Sequence, residues 1–565
     1  MNRVRYWFVV FFIFASFLAV VAKSFYIQLI KGSQYKKEYL NKLVRTITVE
    51  GKRGWIYDCK GRPIAINYPV FDLFVDPKYF FMLHKKYSQD EYYLEKEKAF
   101  FNDLGKVFLI NKKRLLGILY SNPNSRFIVL KKNIPLDKYK LIKEDDNFIK
   151  AFGFVKHFRR FYPDGEFSSH VLGFCFSSNK GAEGIERYYD KFLSGLTMKE
   201  KIGLDVYKSR VAIKPTDGLN LKISLNRDIQ DFVHENLKRT IELFQADKGA
   251  VIVMNPYNGQ IIAMDSYPFY DNNHYSRYSY AFIKNRAVSD AFEPGSVFKL
   301  ITMSAALDSG VFKGNEAVYC EKGRWRLHNK VIHDVHRFKT LNFEEIFVYS
   351  SNIGSAKIAL RIGKKIFYKY LNRFGLGRKT GIDTISETKG IVKDIFNVGD
   401  VDLANMAFGQ GISVSEIQLA SMYSVIANGG YWVRPHFMIN LFGDNSTQGY
   451  KIEKRKILKG STVNKVKKIL RDVVVYGTGK NAALKDYKTA GKTGTAQIAK
   501  HGKYQKEYVA SFAGFAPFDN PRFVVVVSIF NPKRGGFYGG SVAAPLFAKI
   551  MEFVLHYYGI PQDKN

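Results

Sequence analysis

Ser296 and Lys299 stand three residues apart in the stretch FEPGSVFKLITMSAALDSG, residues 292–310. Pro294 and Gly295 precede them and an apolar-periodic run follows, which predicts a helix that begins close to Ser296. Side chains at i and i+3 share one helical face, so the lysine amine can reach the serine oxygen. The helix N-terminus also favours a developing oxyanion, through its free N–H groups and partial positive charge. The pair is therefore a candidate nucleophile and base.

The Ser-x-x-Lys pattern is weak by itself, because it begins at four serines of the chain: Ser33, Ser177, Ser296 and Ser386. A solvated polar pair is the usual explanation for any one such match. Of the four, Ser296 alone stands at the start of a predicted buried helix. The sequence therefore favours this copy, and further motifs are needed to support it.

A second candidate is Ser350-Ser351-Asn352 in VYSSNIGSAKIAL, which falls at a break between two helical runs. Side chains can project from such a break, and a hydroxyl and an amide two residues apart can relay a proton and hold a substrate carbonyl. The same triplet occurs by chance at residues 177–179. Helix capping is the alternative explanation for either copy.

The third candidate is Lys492-Thr493-Gly494-Thr495 in AGKTGTAQ. Two β-patterned runs follow it, which predicts that Lys492 lies on a strand at the edge of a sheet. Gly494 would let another backbone approach this strand closely. One fixed cation and two hydroxyls suit a carboxylate ligand. A second Lys-Thr-Gly begins at Lys379, but it falls in a loop after a helix, so the copy at Lys492 is preferred.

The elements around these motifs predict an α+β fold. A boundary near residues 217–218 precedes a strand and a long amphipathic helix, and GAVIVMNPYNGQIIAMDSYP reads as a hairpin with its turn at residues 256–259. Helices dominate from about 290 to 430, strands return in YVASFAGFAPF and RFVVVVSIF, and a final helix covers roughly residues 542–558. Strands on both sides of a helical middle predict one antiparallel sheet with a helical insert.

Composition sets further limits. A chain of 565 residues is too long for one core and suggests several domains. The net charge of +36, from 87 basic and 51 acidic residues, indicates anionic surroundings or a lysine-rich coding bias, and no nucleic-acid motif accompanies it. The cysteines form neither a disulfide framework nor a metal-binding spacing: Cys59, Cys175 and Cys320.

The N-terminus predicts a membrane anchor. Arg3 and Arg5 precede an uncharged run of 17 residues from Tyr6 to Ala22, near the lower limit for a spanning helix. The two arginines favour an N-terminus in the cytoplasm, so the chain after about residue 30 would lie outside it. The alternative is a cleaved signal peptide, with Val20 and Ala22 at the small-residue positions.

The three motifs occur in order, 54 and 142 residues apart, which is the signature of serine acyl-transferases of the penicillin-binding type. The whole chain to about residue 556 resembles a class B penicillin-binding protein. RGWIYDCKGRPIA, RFYPDGEFSSHVLGF and GAEGIERYYDKFLSG are similar to motifs of its N-terminal pedestal, and FGQGISVSEIQLASMYSVIANGGYWVRPH is similar to the stretch before its carboxylate-binding strand. Within this family the chain most resembles the septal FtsI type, with the elongation type as the alternative.

The resemblance implies a penicillin-binding transpeptidase fold in residues 218–565, a pedestal or dimerisation domain in 31–217, and a stub and anchor in 1–30. It implies a peptidoglycan D,D-transpeptidase that links stem peptides through an acyl-enzyme. Ser296 would attack the penultimate D-alanine carbonyl, with Lys299 as its base, which requires a lysine pKa lowered by about three units. Ser350 would pass a proton to the leaving amine, and Asn352 would hold the substrate amide.

The resemblance also assigns the binding residues. Lys492, Thr493, Gly494 and Thr495 would bind the terminal carboxylate, and the N–H groups of Ser296 and Thr495 would form the oxyanion hole. The expected ligands are stem peptides ending in D-Ala-D-Ala and β-lactams, and the expected partners are an FtsW-type glycosyltransferase and other division proteins. No cofactor, metal or nucleic acid is expected. The location implied is the bacterial inner membrane, with one span and an extracytoplasmic catalytic domain.

Two rivals remain. A β-lactamase or β-lactam sensor of the same fold would need a base that activates water on the acyl-enzyme, and the sequence shows no obvious carboxylate for that. The pedestal of roughly 190 residues also disfavours it. A catalytically inactive division scaffold is disfavoured by three intact motifs.

Overall fold

The computed structural model describes residues 3–32, 34, 44–203, 216–443, 446–500 and 503–563. The strands, in chain order, are β1 (Val44–Glu50), β2 (Ile56–Tyr57), β3 (Pro63–Val75), β4 (Ile128–Pro135), β5 (Phe152–Phe161), β6 (Thr197–Gly203), β7 (Asn220–Ile223), β8 (Lys248–Met254), β9 (Ile261–Tyr267), β10 (Ala317–Tyr319), β11 (Arg324–Leu327), β12 (Lys330–His333), β13 (Thr340–Asn342), β14 (Tyr431–Val433), β15 (Met438–Gly443), β16 (Ser446–Gly449), β17 (Lys454–Lys456), β18 (Ala490–Lys500), β19 (Lys503–Ala516) and β20 (Phe523–Phe530). The α-helices are α1 (Arg3–Phe25), α2 (Pro77–Lys86), α3 (Glu91–Phe108), α4 (Lys112–Ser121), α5 (Leu136–Lys143), α6 (Ser169–Leu172), α7 (Gly184–Tyr188), α8 (Asp190–Leu193), α9 (Arg227–Phe244), α10 (Tyr280–Ile283), α11 (Arg286–Ser289), α12 (Lys299–Asp308), α13 (Phe343–Val348), α14 (Asn352–Arg373), α15 (Asp400–Met406), α16 (Glu416–Ala427), α17 (Gly460–Val475) and α18 (Gly539–Tyr557).

The sheet that carries the third motif has five antiparallel strands in the order β18-β19-β20-β8-β9. β8 and β9 form the predicted hairpin, and β20 is the predicted buried strand. Successive side chains of these strands enter two different apolar layers, one against α9 and α18 and the other against the helical insert. The predicted α+β fold, an antiparallel sheet with a helical insert, is therefore confirmed.

The helical insert holds the first two motifs. Helix α12 packs against α14 and α17, and every residue of α12 except Leu307 is buried. The end of α13 and the start of α14 are separated by three residues, 349–351, at the break that the sequence predicts. β18 lies at the edge of the five-stranded sheet and packs against the turn that precedes α12. This arrangement sets an edge strand beside two helix N-termini.

A second sheet has the order β16-β15-β7-β2-β3-β4, and β5 pairs with β3. β7 runs parallel to β2 and antiparallel to β15, so strands from both sides of residues 217–218 share this sheet. Helices α2 to α5 pack with β3, β4 and β5 around a separate apolar cluster. The predicted domain limits stay a prediction.

The chain divides into two compact units, residues 1–53 with 194–218 and residues 54–193 with 219–565. The first unit contains the antiparallel pair β1–β6 and the N-terminal helix. Within the helical run Arg3–Leu29, an 18-residue stretch has a mean hydropathy of 2.3, and none of that stretch is buried. Among the described residues, this is the one helix long and apolar enough to cross a membrane.

Candidate active site

Ser296 lies in a 3₁₀ turn, Gly295–Phe298, that leads directly into α12. Gly295 has a φ of +57°, and its N–H donates to the carbonyl of Gly409 at 3.1 Å, which fixes the turn from behind. Lys299 is the first residue of α12 and is fully buried. Ser296 opens into a cavity of about 460 Å³. The α-helix thus begins just after Ser296, with the turn as its lead-in.

Ser350 lies between α13 and α14 and contacts the nucleophile candidate. Its hydroxyl donates to Ser296 Oγ at 3.0 Å. Lys299 Nζ donates to the Ser350 carbonyl at 2.7 Å and to its hydroxyl oxygen at 3.1 Å. Among the described residues, the hydrogen bonds of Lys299 Nζ go to Ser350 and Asn352, so Ser350 is the link between the lysine and Ser296.

Asn352 is the first residue of α14 and completes the surroundings of the buried amine. Its Oδ1 accepts from Lys299 Nζ at 2.9 Å, and its Nδ2 donates to the carbonyl of His333 at 3.0 Å. Because the side-chain oxygen is turned toward the lysine, the orientation of the amide is set. The Ser350 hydroxyl and the Asn352 amide therefore both contact Lys299, the predicted base.

Lys492 reaches the same hydroxyl from the edge strand β18. Its Nζ donates to Ser350 Oγ at 3.0 Å and to Thr493 Oγ1 at 3.4 Å, and its side chain is fully buried. Thr493 Oγ1 lies 2.6 Å from Thr478 Oγ1, in the loop after α17. Ser350 Oγ thus lies within hydrogen-bonding distance of two lysine amines and of Ser296 Oγ.

This arrangement lowers the pKa of both lysines. Burial lowers the pKa of Lys299 well below its ordinary value, and the charge of Lys492 lowers it further, while Asp334 raises it. Burial lowers the pKa of Lys492 to about 7. A lysine with a lowered pKa can be neutral near neutral pH, which is the state in which its amine accepts a proton. The pKa of Lys299 is therefore shifted in the direction that its predicted role as a base requires.

Gly494 allows β18 to approach the 3₁₀ turn Gly295–Phe298, called the nucleophile turn below because it carries Ser296. A Cβ at this position would lie 2.6 Å from Ser511 Oγ, 2.9 Å from the Pro294 carbonyl and 3.1 Å from Val297 Cγ1. Thr495 follows it, lines the cavity, and accepts the N–H of Gly539 with its hydroxyl at 3.0 Å. The close approach predicted for this glycine is therefore present.

The competing motif copies lie elsewhere and have other contacts. Ser177 is exposed in a turn, and Ser33 lies outside the described residues. Thr380, in the second Lys-Thr-Gly, donates through its N–H and hydroxyl to Glu387 Oε1 at 2.5 and 2.6 Å. Ser386 follows in the same loop. These contacts give the Lys-Thr-Gly that begins at Lys379 a structural role within its loop.

Two residues that contact the motifs, Thr478 and Asp334, were not expected from the sequence. Thr478 lines the cavity, and Lys492 Nζ lies 3.5 Å from its hydroxyl oxygen. Asp334, in the loop after β12, accepts a hydrogen bond from the Ser351 hydroxyl at 2.6 Å. Each is a single polar residue in a loop, and the GTG and HDV tripeptides around them give no signal that an isolated sequence makes readable.

One group of side chains in the described residues has the atoms to hold a metal ion: Asp486, Glu552 and His556. Its hydrogen bonds account for the cluster without an ion. Glu552 accepts the N–H groups of Lys485 and Asp486 at 3.1 and 3.2 Å, and His556 Nε2 lies 3.1 Å from Asp486 Oδ2. None of its three members lines the cavity at Ser296.

Comparisons with known proteins match two regions of the chain to families. Residues 249–552 match the family described as the penicillin binding protein transpeptidase domain, and residues 48–223 match the penicillin-binding protein dimerisation domain. Stage V sporulation protein D of Bacillus subtilis is 32% identical, over 100% of this chain and 87% of that protein. Peptidoglycan D,D-transpeptidase FtsI of Escherichia coli is 31% identical, over 95% of this chain and 89% of that protein.

A solved structure shares the fold. Penicillin binding protein 3 of Mycobacterium tuberculosis, complexed with aztreonam, is 24% identical, with a TM-score of 0.70 over 92% of this chain and 98% of that chain. At this identity the likeness shows the fold alone. The transpeptidase match covers more than half of the 565 residues and includes the three motifs that meet at Ser350. The chain therefore belongs to the penicillin-binding protein transpeptidase family.

Proposed function

We propose that this protein is a peptidoglycan D,D-transpeptidase that cross-links stem peptides through an acyl-enzyme on Ser296. The observation that carries the proposal is the position of Ser350 Oγ, 3.0 Å from Ser296 Oγ and 3.1 and 3.0 Å from the amines of Lys299 and Lys492. Nucleophilic serines are activated by an adjacent base within hydrogen-bonding reach. The relatives named as transpeptidases support the same activity.

In the first step, neutral Lys299 takes the proton of Ser296 through the Ser350 hydroxyl, which contacts both groups. Ser296 Oγ bonds to the penultimate D-alanine carbonyl, and the terminal D-alanine leaves as an amine that receives its proton through Ser350. In the second step, an amine of a neighbouring stem attacks the ester and gives up a proton to the same groups, and the Ser296 hydroxyl is restored. Each step transfers one acyl group and returns every proton.

Lys492, Thr493 and Thr495 bind the terminal carboxylate of the donor peptide, and Gly494 allows their strand to lie close to the nucleophile. Thr478 adds a third hydroxyl at this end of the cavity. The N–H groups of Ser296 and Thr495 stabilise the oxyanion. β-Lactams present a carboxylate and a reactive carbonyl in the same relation, which explains why they would acylate the same serine.

The composition of the cavity supports transfer to an amine over hydrolysis. None of the described residues that line the cavity at Ser296 is an aspartate or glutamate. A β-lactamase of this fold would need a base for water on the acyl-enzyme, and a carboxylate is the usual group for that role. The acyl-enzyme is therefore long-lived in the absence of an acceptor amine.

We also propose the septal role, with an FtsW-type glycosyltransferase and other division proteins as partners. The anchor is residues 1–30, the pedestal 31–217 and the catalytic domain 218–565. Arg3 and Arg5 hold the N-terminus in the cytoplasm, so the catalytic domain acts outside the inner membrane. A C-terminal reporter that is active only outside the cytoplasm tests this orientation.

The proposal is tested by incubating the full chain with a fluorescent penicillin and following the adduct by gel fluorescence and peptide mass. The expected result is one adduct per chain, located on Ser296 and lasting far longer than the time of acylation. Rapid release with turnover of the penicillin would support a β-lactamase instead. Absence of any adduct on folded protein would support an inactive scaffold.

Gly494→Ala is expected to lower the second-order rate constant of acylation by about 100-fold, because the added methyl pushes β18 away from the nucleophile turn. Gly449→Ala is the matched control, since a Cβ there would meet nothing within 4 Å. The measurement is the rate of fluorescent-penicillin labelling, with the unfolding temperature recorded for both variants. A rate for Gly494→Ala within twofold of the native rate would contradict the expectation.

A further inference from the structure

Asp334 binds the N-terminal turn of α14 through both carboxylate oxygens. Its Oδ1 accepts the N–H groups of Asn352 at 2.5 Å and Ile353 at 3.0 Å. Its Oδ2 accepts the Ser351 hydroxyl at 2.6 Å. A carboxylate at this position satisfies free N–H groups and complements the helix dipole. Three consecutive residues that follow Ser350 are therefore fixed by one side chain.

Ser350 needs such an anchor because its backbone is strained. Its φ is +64°, a left-handed conformation that is unfavourable for residues with a side chain. On its C-terminal side the chain is held by Asp334, and its own carbonyl is held by Lys299 Nζ at 2.7 Å. This conformation places the Ser350 hydroxyl between the two lysine amines and Ser296.

Asp334 also supplies a negative charge close to the Lys299 amine. The Lys299 amine is faced by Lys492 from β18, by the uncharged Ser350 and Asn352 from the break before α14, and by Asp334 from the loop after β12. Burial and Lys492 lower the pKa of Lys299, and Asp334 raises it. The carboxylate thus opposes the other two effects.

We propose that Asp334 is a positioning residue of the acylation reaction, which locks the strained turn at Ser350 and places a negative charge near the Lys299 amine. It touches neither the substrate nor the reacting atoms and acts through residues 350–353. The inference rests on the proposed function, since it assigns a contribution to the acylation of Ser296.

The test is the pH profile of acylation for Asp334→Asn, with fluorescent penicillin as the probe. Loss of the anchor is expected to lower the maximal second-order rate constant by about 100-fold. Loss of the negative charge lets Lys299 release its proton at a lower pH. The acid limb, which is the rise of the rate with pH on the acidic side of the profile, therefore moves down by about 1 pH unit. A purely structural role would lower the rate and leave the limb in place.

Two further variants separate the contributions. Ser351→Ala keeps the carboxylate and removes one of its bonds, together with the cap that the Ser351 hydroxyl gives the Gly354 N–H at 2.9 Å, so the rate falls by roughly tenfold and the acid limb stays. Asp146→Asn removes an exposed carboxylate of the pedestal as the matched control, and it changes neither quantity. If Asp334→Asn does not fold, a native rate for Ser351→Ala overturns the anchoring role by itself.

The outcomes also separate this inference from the proposed function. A native acid limb in folded Asp334→Asn overturns the assignment of a charge effect on Lys299, even if native protein is acylated normally. Absence of an adduct on the native chain overturns the proposed function itself. A lowered rate together with a shifted limb supports both.

Discussion

Ser296→Ala is expected to lose the covalent penicillin adduct, with the labelling rate reduced by at least about 10⁴-fold. The reason is geometric: Ser296 lines the cavity, and its Oγ accepts a hydrogen bond from the Ser350 hydroxyl at 3.0 Å. Ser350 cannot replace it, because its oxygen is occupied by both lysine amines. The measurement is gel fluorescence after incubation of equal amounts of folded protein, with the mass of the intact chain as a second readout.

Ser177→Ala is the matched control for this variant. Ser177 also begins a Ser-x-x-Lys, with Lys180, but it is exposed and lies in a turn. Labelling of this variant is expected to equal that of the native chain. An adduct that persists in Ser296→Ala and maps to another peptide would show that the nucleophile has been assigned to the wrong residue.

Lys299→Ala is expected to slow acylation by about 10³–10⁴-fold, which is the upper part of the range for removal of a general base. Lys299→Arg should not restore the rate, because a guanidinium stays charged and cannot accept the proton. Lys369→Ala, an exposed lysine on α14, is the control and should leave the rate unchanged. Stopped-flow or gel-based labelling gives the rate constants, and a Lys299→Ala rate near native would remove Lys299 from the mechanism.

The pH dependence of the native enzyme follows from the same two lysines. The base must be neutral, so acylation rises with pH through the lowered pKa of Lys299. The carboxylate site must be charged, so acylation falls again as Lys492, with a pKa of about 7, loses its proton. Lys492→Arg keeps its charge and should lose the alkaline fall. A rate that does not fall on the alkaline side of pH 7 would contradict the assignment of Lys492, and a rate that does not fall at any acidic pH would contradict that of Lys299.

Much of the fold could be predicted from the sequence, because local patterns determine it. The hairpin β8–β9 has a turn sequence between two apolar strands, β20 is an uninterrupted apolar run, and α18 shows helical periodicity close to its observed limits. The apolar N-terminal run was predicted for the same reason. The three motifs could be chosen over their copies by the elements expected around them, and their catalytic roles stay predictions.

The features of the site that could not be predicted from the sequence depend on contacts between residues far apart in the chain. Asp334 is a lone carboxylate in a loop. Its role depends on the hydrogen bonds that it accepts from N–H groups 18 and 19 residues away. Thr478 reaches Lys492 and Thr493 across 14 and 15 residues of loop and strand. The left-handed backbone of Ser350 has no sequence signal either, since glycine or asparagine is the residue expected there. A single sequence does not show which distant residues contact each other, so these contacts could not be predicted.

The short strand β7 ties two regions of the chain into one hydrogen-bonded layer, parallel to β2 and antiparallel to β15. A fragment that started at residue 218 would leave the β2-facing backbone of β7 unpaired, and unpaired strand edges invite association with other chains. Expression of the C-terminal part alone would therefore favour aggregation. For the same reason, insertions and domain exchanges in this chain are better tolerated in the loops of α2 to α5 than at the junction near residue 218.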